Sequence, residues 1–338
     1  MHDRNQADTA ALIALDWGTS SLRGFLMDGD GQVLAERASS HGIQNLPQPG
    51  GPGFEAALDS LCGDWLEAHH ALPLVAGGMV GSAQGWVEAP YVVTPADAAT
   101  LADQAARVTT IAGRSILIAP GVLHDPANDA PDVMRGEEIQ IAGALTIDPK
   151  WASGACVVMP GTHSKWVSIV DGRIAGFSTY MTGELYAILK SHSVLGRLMP
   201  AAPAAAEPAV EQEAFSAGVE AAKASGPGDL PHQLFATRTL GLTKRLPHEA
   251  LTHYLSGLLI GHELVSGLAT VRTDLPAGTP LLLIGAPALC ERYAQALASF
   301  GITPAAQLGN TAPRGLFQFA VAAGLLEPAA ISNLTSAS

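Results

Sequence analysis

An apolar run, a glycine-threonine turn, a second apolar run and an Asp-Gly hairpin occur twice in this chain, and that repeat limits the possible folds more than any other feature. In the first copy "LIALDWG" leads into Thr19 and Ser20, "LRGFLM" follows, and "DGDG" closes the unit at 28–31. In the second, "ACVVMPGTHSKWVSIVDG" runs from 155 to 172. Gly18 and Asp28 stand ten positions apart, as do Gly161 and Asp171, and the two glycines are 143 residues apart. Each copy reads as strand, tight turn, strand, hairpin, strand, because Asp-Gly supplies the positive φ angles a hairpin turn needs. Self-similarity at a little under half of 338 residues implies two related domains. Chance recurrence of common dipeptides is the rival explanation. The length agrees with two domains, since it exceeds what one core usually serves. We place them at 1–150 and 151–338.

Helix candidates lie between the hairpins, at about 54–70, 137–145, 209–224, 248–270, 287–299 and 313–326. Strands alternating with helices indicate an α/β fold with mixed sheets flanked by helices. The stretches 41–53 and 200–209, rich in Pro, Gly or Ala, read as loops, and the tail 331–338 as frayed.

Apolar residues make up 48% of the chain and charged ones 14%, the balance of a globular enzyme. A formal charge of −13 with only 18 Lys and Arg argues against nonspecific contact with nucleic acid or an anionic membrane. Cys62, Cys156 and Cys290 lack the spacing of a disulfide framework or a zinc cage, which suits a reducing cytoplasm. The polar start "MHDRNQADTA" does not read as a signal peptide, and no uncharged apolar run reaches the length of a membrane span. A soluble protein is expected. His69 and His70 lack convincing zinc spacing and read as helix surface.

Asp16 ends an apolar strand and is followed by Gly18, Thr19, Ser20 and Ser21. A carboxylate there can hold a hydrated Mg2+ while turn N–H groups and hydroxyls meet phosphate oxygens. The bland alternative is that Asp16 merely caps the turn. The second turn, "PGTHSK", offers Gly161, Thr162, His163, Ser164 and Lys165 for the same task, with Lys165 as a cation and His163 as a donor or simply a solvated turn residue. Two such turns facing one another across an interdomain cleft would grip a polyphosphate. Gly285, Ala286 and Pro287 form a third glycine turn, between an apolar strand and a helix, where adenosine can approach the backbone. "MRGEEIQIAGAL" places Glu137 and Glu138 at a helix start, where either can accept a proton from a sugar hydroxyl or simply favour the helix dipole. Arg135 pairs with an anionic substrate or with Asp132.

The order of these motifs resembles the sugar kinases of the actin and hexokinase superfamily. "LDWGTSSLRGFLMDGDGQV" looks like their first phosphate loop, "RGEEIQIAGAL" like the first connecting helix, "MPGTHSKW" like the second phosphate loop, and "LIGAPALCERY" like the adenosine loop. Together with "AGGMVGSAQGWVEAPYV" and "TYMTGELYAIL", they are similar to the 2-dehydro-3-deoxygalactonokinase family. The resemblance covers about residues 11–300 and implies two ribonuclease H-like, actin-like ATPase domains with a cleft between them. It further implies ATP and Mg2+ as cofactors and phosphorylation of the C6 hydroxyl of 2-dehydro-3-deoxy-D-galactonate in galactonate catabolism.

Carried over by position, Asp16 would organise Mg2+ through water. The N–H groups around Gly18 to Ser20 and Gly161 to Ser164 would hold phosphates. Glu137 falls where related kinases place a catalytic Asp, one methylene longer, so that Glu137 or its neighbour Glu138 is the base. Met79, Gly81, Ser82, Gln84, Trp86 and Tyr91 would form the sugar-acid pocket, with Arg23, Arg135 and Glu184 as further candidates. Trp86 as ordinary core, Arg23 as a solvated strand end and Glu184 as a first-turn helix acid are the plain alternatives. The expected partners are a sugar acid and ATP, with no nucleic acid or membrane, and a homodimer is compatible with a sequence that is silent on oligomeric state. Two other functions stay open: hydrolysis of phosphate esters or polyphosphate on the same fold, and noncatalytic ATP binding. A kinase for a related sugar acid is a closer variant of the main reading.

Overall fold

A computed structural model of the chain describes residues 9–200 and 207–327. Most of the loop expected at 200–209, nearly all of the polar N-terminal stretch and the whole tail 331–338 lie outside the described residues.

The chain opens with β1 (Ala10–Trp17), β2 (Leu22–Asp28) and β3 (Val33–Ser39), followed by helix α1 (Gly51–Ala68) and β4 (Leu74–Gly78). Next come β5 (Tyr91–Val93), α2 (Ala98–Asp103), β6 (Ala106–Thr109), β7 (Ser115–Ile118), β8 (Gly121–His124), β9 (Asp132–Met134), α3 (Glu137–Leu145) and the short α4 (Lys150–Ser153). The second half repeats the opening with β10 (Gly154–Met159), β11 (Ser164–Val170) and β12 (Arg173–Tyr180). It continues with α5 (Thr182–His192), α6 (Pro208–Lys223), α7 (Leu230–Leu242), α8 (Leu251–Asp274), β13 (Leu281–Ile284), α9 (Pro287–Ser299), β14 (Ala306–Leu308) and α10 (Ala312–Ala322).

Strand order is β3-β2-β1-β4-β7-β6 in the first large sheet and β12-β11-β10-β13-β14 in the second, with β5-β8-β9 as a small third sheet. β1 pairs antiparallel with β2 and parallel with β4, and β10 does the same with β11 and β13. Both large sheets have the ribonuclease H-like arrangement, so the fold is α/β with two such domains. β1 is apolar along nearly its whole length because its central position buries both faces. β3 lies at the sheet edge, and none of its residues is fully buried.

The two hairpins share a sequence motif but not a turn. Asp171 (φ 50°) and Gly172 (φ 75°) form a two-residue turn with both angles positive. In the first copy only Gly31 (φ 79°) is positive, and the Asp28 carboxylate accepts the N–H groups of Asp30 and Gln32 at 3.0 and 2.8 Å. That is the three-residue alternative, a turn closed by one left-handed glycine.

Contacts divide the chain into two units. The first holds 9–152, 172–175 and 310–327, and the second holds 153–171 and 176–309. A single cut at 150 therefore misses the return of α10 to the first unit, where it packs on α3 and β1. In the first unit α1 buries Phe54, Leu58, Leu61, Trp65 and their neighbours, spaced three and four apart, against the sheet. In the second, α6, α8 and α9 cover the sheet around Trp166, Phe215, Leu264 and Tyr293. α8 belongs to the one stretch among the described residues, His248–Val271, that is long and apolar enough to cross a membrane by length and composition, and because it carries Glu249 and Glu263 it is not the uncharged run whose absence was expected. Most of that stretch is buried inside the protein, and it carries Glu263, so the apolar run is interrupted by a charge-bearing group.

Candidate active site

In the first unit the candidate site gathers at the carboxyl ends of β1 and β4. Asp16 faces Arg23 in register across β1 and β2, with Oδ2 and Nη1 3.8 Å apart. Burial pushes the Asp16 carboxyl above its usual range and the Arg23 guanidinium opposes this. A carboxylate so placed gains from one more cation. Among the described residues no group of three or more His, Cys, Asp or Glu is assembled for a metal. Mg2+ needs no such cage, because it keeps most of its waters and binds through one or two carboxylates and substrate phosphates. Asp16 therefore fits the task expected of it.

The glycine turn departs from expectation at one atom. The Gly18 N–H donates to Ser21 O at 2.9 Å, closing the turn, and is not offered to a phosphate. Thr19 and Ser20 are exposed. The Ile43 and Gln44 N–H groups donate to the carbonyls of Gly18 and Thr19, both at 3.1 Å, so the 41–45 stretch backs the turn.

Gly78 (φ 93°) ends β4 with no room for a side chain. A methyl there would lie 2.8 Å from Trp17 O and 3.7 Å from Asp16 Oδ1. One on Gly136 (φ 107°) would lie 3.4 Å from Gly78 Cα. These glycines bring the start of α3 beside Asp16. Glu137 is half-buried there, and its Oε2 accepts the Arg135 N–H at 3.1 Å. Glu138 is wholly buried, its Oε2 accepts the Gly136 N–H at 2.7 Å, and its carboxyl is pushed up to about 8, mainly by burial and then by the Glu137 charge. It lines a small cavity with Leu101, Ile141 and Gln318. As a candidate base Glu138 is corrected: a buried, protonated carboxyl cannot accept a sugar proton.

Met79 and Gly81 form a short 3-10 turn after β4, and Gln84 is exposed. Ser82 is buried with no partner for Oγ. The Arg135 guanidinium lies 4.4 Å from the Tyr91 ring centroid and donates to Ala89 O at 2.9 Å, while its Nε and Nη1 have no hydrogen-bond partner. Trp86 stacks on Phe54 at 5.5 Å and meets Trp17 edge-on at 6.0 Å. It packs, partly buried, on the first unit's core, as its plain alternative has it.

In the second unit the Pro160–His163 turn opens onto a cavity of about 540 Å3. Gly161 and Thr162 line one part of it, Ala286 and Leu289 another, and Tyr186 and Arg292 belong to its wall. Gly285 precedes this wall, with its N–H donating to Leu308 O at 3.0 Å, and Pro287 begins α9. Such a cavity, partly apolar with backbone N–H groups and two helix starts nearby, has the size and chemistry of a small-ligand site. His253 on its wall accepts from Arg292 Nη2 through Nδ1 at 3.0 Å, since a guanidinium can only donate. Burial pushes that imidazole below its ordinary pKa, opposed by the Glu211 carboxylate 3.5 Å from its Nε2.

Three expectations for this turn change. Ser164 is fully buried and its hydroxyl bonds Tyr293 OH at 3.0 Å, so it faces the core. Lys165 is buried, with Nζ 3.5 Å from His163 O. Glu184, expected near the sugar acid, bonds the His163 imidazole and donates its N–H to Thr162 O at 3.0 Å, so it belongs to this turn. Sequence reasoning missed Thr182 and Gly183 as site residues. The signal was present in "TGE" at a helix start: a methyl on Gly183 would lie 2.4 Å from Gly161 O. Tyr186, His253 and Arg292 carry no local motif that could have found them.

A model of the family described as 2-keto-3-deoxy-galactonokinase matches residues 16–319. The chain is 38% identical over 306 residues to the 2-dehydro-3-deoxygalactonokinase of Escherichia coli strain K12, covering 90% of this chain and 95% of that one. A crystal structure of a Sinorhizobium meliloti protein assigned the same activity matches with a TM-score of 0.77 at 36% identity, over 92% of this chain and 98% of that one.

Proposed function

The chain belongs to the 2-keto-3-deoxy-galactonokinase family, and from that membership we infer that it transfers the γ-phosphate of ATP to the C6 hydroxyl of 2-dehydro-3-deoxy-D-galactonate in galactonate breakdown. The observation that carries the nucleotide part of this reading is the second unit's cavity, which joins Gly161 and Thr162 to Ala286 and Leu289. A phosphate tail at the turn and a purine toward Tyr186 and Leu289 suit its chemistry.

Phosphoryl transfer asks little covalent chemistry of a protein, so the residues act by position and charge. The C6 hydroxyl gives its proton to Glu137, its oxygen attacks the γ-phosphorus, and the bond from that phosphorus to the ADP oxygen breaks. Glu137 has this role because Glu138 is buried and holds a proton at neutral pH. Mg2+ bound near Asp16 would neutralise charge on the phosphates. Thr19, Ser20, Gly161 and Thr162 hold phosphate oxygens. Arg23, Arg135, Ser82 and Tyr91 are the proposed contacts for the acid substrate. The cytoplasm, where the three buried thiols stay reduced, is the proposed location. Hydrolysis without an acceptor is not favoured, because the relatives are named as kinases.

The test is the phosphorus NMR spectrum of the product formed from ATP and the sugar acid. A phosphate on the C6 methylene couples to two protons and gives a triplet. A doublet would mean a secondary hydroxyl, and free phosphate alone would mean hydrolysis.

A further inference from the structure

Glu263 is a buried carboxylate to which the reaction above gives no task. It sits midway along α8, 3% exposed, and its hydrogen-bond donors are neutral. Trp166 Nε1 donates to Oε1 at 2.8 Å and Tyr293 OH donates to Oε2 at 2.7 Å. The hydroxyls of Thr182 and Ser164 also bond to it. Burial pushes this carboxyl above its ordinary pKa, and the converging donors oppose that shift.

Those donors come from the elements that build the nucleotide cavity. Ser164 and Trp166 begin β11, directly after the Gly161–Thr162 turn. Thr182 begins α5, and Tyr293 lies on α9, which carries the opposite wall. Thr182 and Tyr293 themselves line the cavity. The next residue after Thr182 is Gly183, whose missing side chain lets α5 rest on Gly161 O, and Glu184 N–H then holds Thr162 O at 3.0 Å. One carboxylate thus ties the strand leaving the turn to the helix that braces it.

We propose that Glu263 is a positioning residue for nucleotide binding: it fixes the start of α5 against the Gly161–Thr162 turn and so sets the grip on a nucleotide's phosphates without touching them. This rests on the nucleotide reading of the cavity. The glutamine variant separates position from mere packing. Trp166 Nε1 can only donate, so the amide oxygen of Glu263→Gln must face it, and the amide nitrogen must face Tyr293. Tyr293 OH then accepts instead of donating and turns its own proton to Ser164. The core keeps its volume while the convergence of donors on one charge is lost.

The experiment is calorimetric titration of the full chain with MgADP, together with KM for each substrate and the melting temperature. Glu263→Gln is expected to weaken MgADP by about tenfold and raise the KM for ATP by the same factor, a loss in the range of charged positioning contacts. The KM for the sugar acid and the melting temperature should stay within error. Tyr293→Phe, which removes one donor, should weaken MgADP less. Unchanged MgADP affinity in Glu263→Gln overturns the inference, and so does equal damage to both substrates with a lowered melting temperature. Should that variant not fold, Thr182→Val cuts a single bond of the network, and its MgADP affinity must fall or the inference fails. If the unsubstituted chain itself does not bind MgADP, the nucleotide reading falls and takes this role with it.

Discussion

Asp16 and Glu138 are both carboxyls raised by burial, yet the nearest charges act on them in opposite senses. Asp16 has Arg23 opposing the shift and gains from a cation, whereas Glu138 has the Glu137 charge reinforcing it. Asp16→Asn removes the charge and keeps the volume, so steady-state kinetics should show kcat falling roughly 100-fold or more with an unchanged melting temperature. Glu137→Gln should lower kcat by about 100-fold to 10,000-fold while the affinity for MgADP stays within a factor of about two. Glu138 behaves differently. In the fold it keeps its proton up to about 8, against 4.5 for an ordinary glutamate, so between those values the folded state binds more protons than the unfolded one. Its contribution to stability is therefore whole below 4.5 and is lost as pH rises towards 8. Glu138→Gln carries no such loss: between roughly pH 5 and pH 8 its melting temperature should decline less than that of the parent chain. The sequence placed both glutamates at a helix start but could not rank them, because adjacent positions on a helix point about 100° apart and only tertiary packing decides which faces the core.

At the scale of elements, both hairpins and most helix ends could be read from apolar spacing and turn residues. Hydrogen-bond closure was hidden: "DWGTSS" does not reveal that Gly18 spends its N–H on Ser21. α7 was missed because it buries little, with Phe235 and Leu242 more than half exposed, so no apolar stripe marks it. α2 was missed because six residues hold too few turns for a period to appear. α5 carries the sharpest test. Gly183→Ala would force a methyl to 2.4 Å from Gly161 O and part the helix from the turn. The KM for ATP should rise by about tenfold with less change in the KM for the sugar acid. An unchanged KM for ATP would separate α5 from nucleotide binding.

For the whole molecule, the repeat foretold two similar sheets, but nothing in the residues of α10 announces that it returns to the first unit. The length and apolarity of α8 meet the composition of a spanning helix despite Glu263, and its burial against neighbouring helices explains the same composition. Hydrogen exchange checks the assignment of the nucleotide to one cavity. MgADP should slow exchange around 161–163, 182–186 and 286–293, the segments that line or brace it. The most direct measurement is ADP and free phosphate release by the unsubstituted chain from MgATP, with and without 2-dehydro-3-deoxygalactonate. The account predicts ADP only when the sugar acid is present, one for each acid phosphorylated, with no free phosphate. Equal release of ADP and phosphate in the absence of the acid would contradict it.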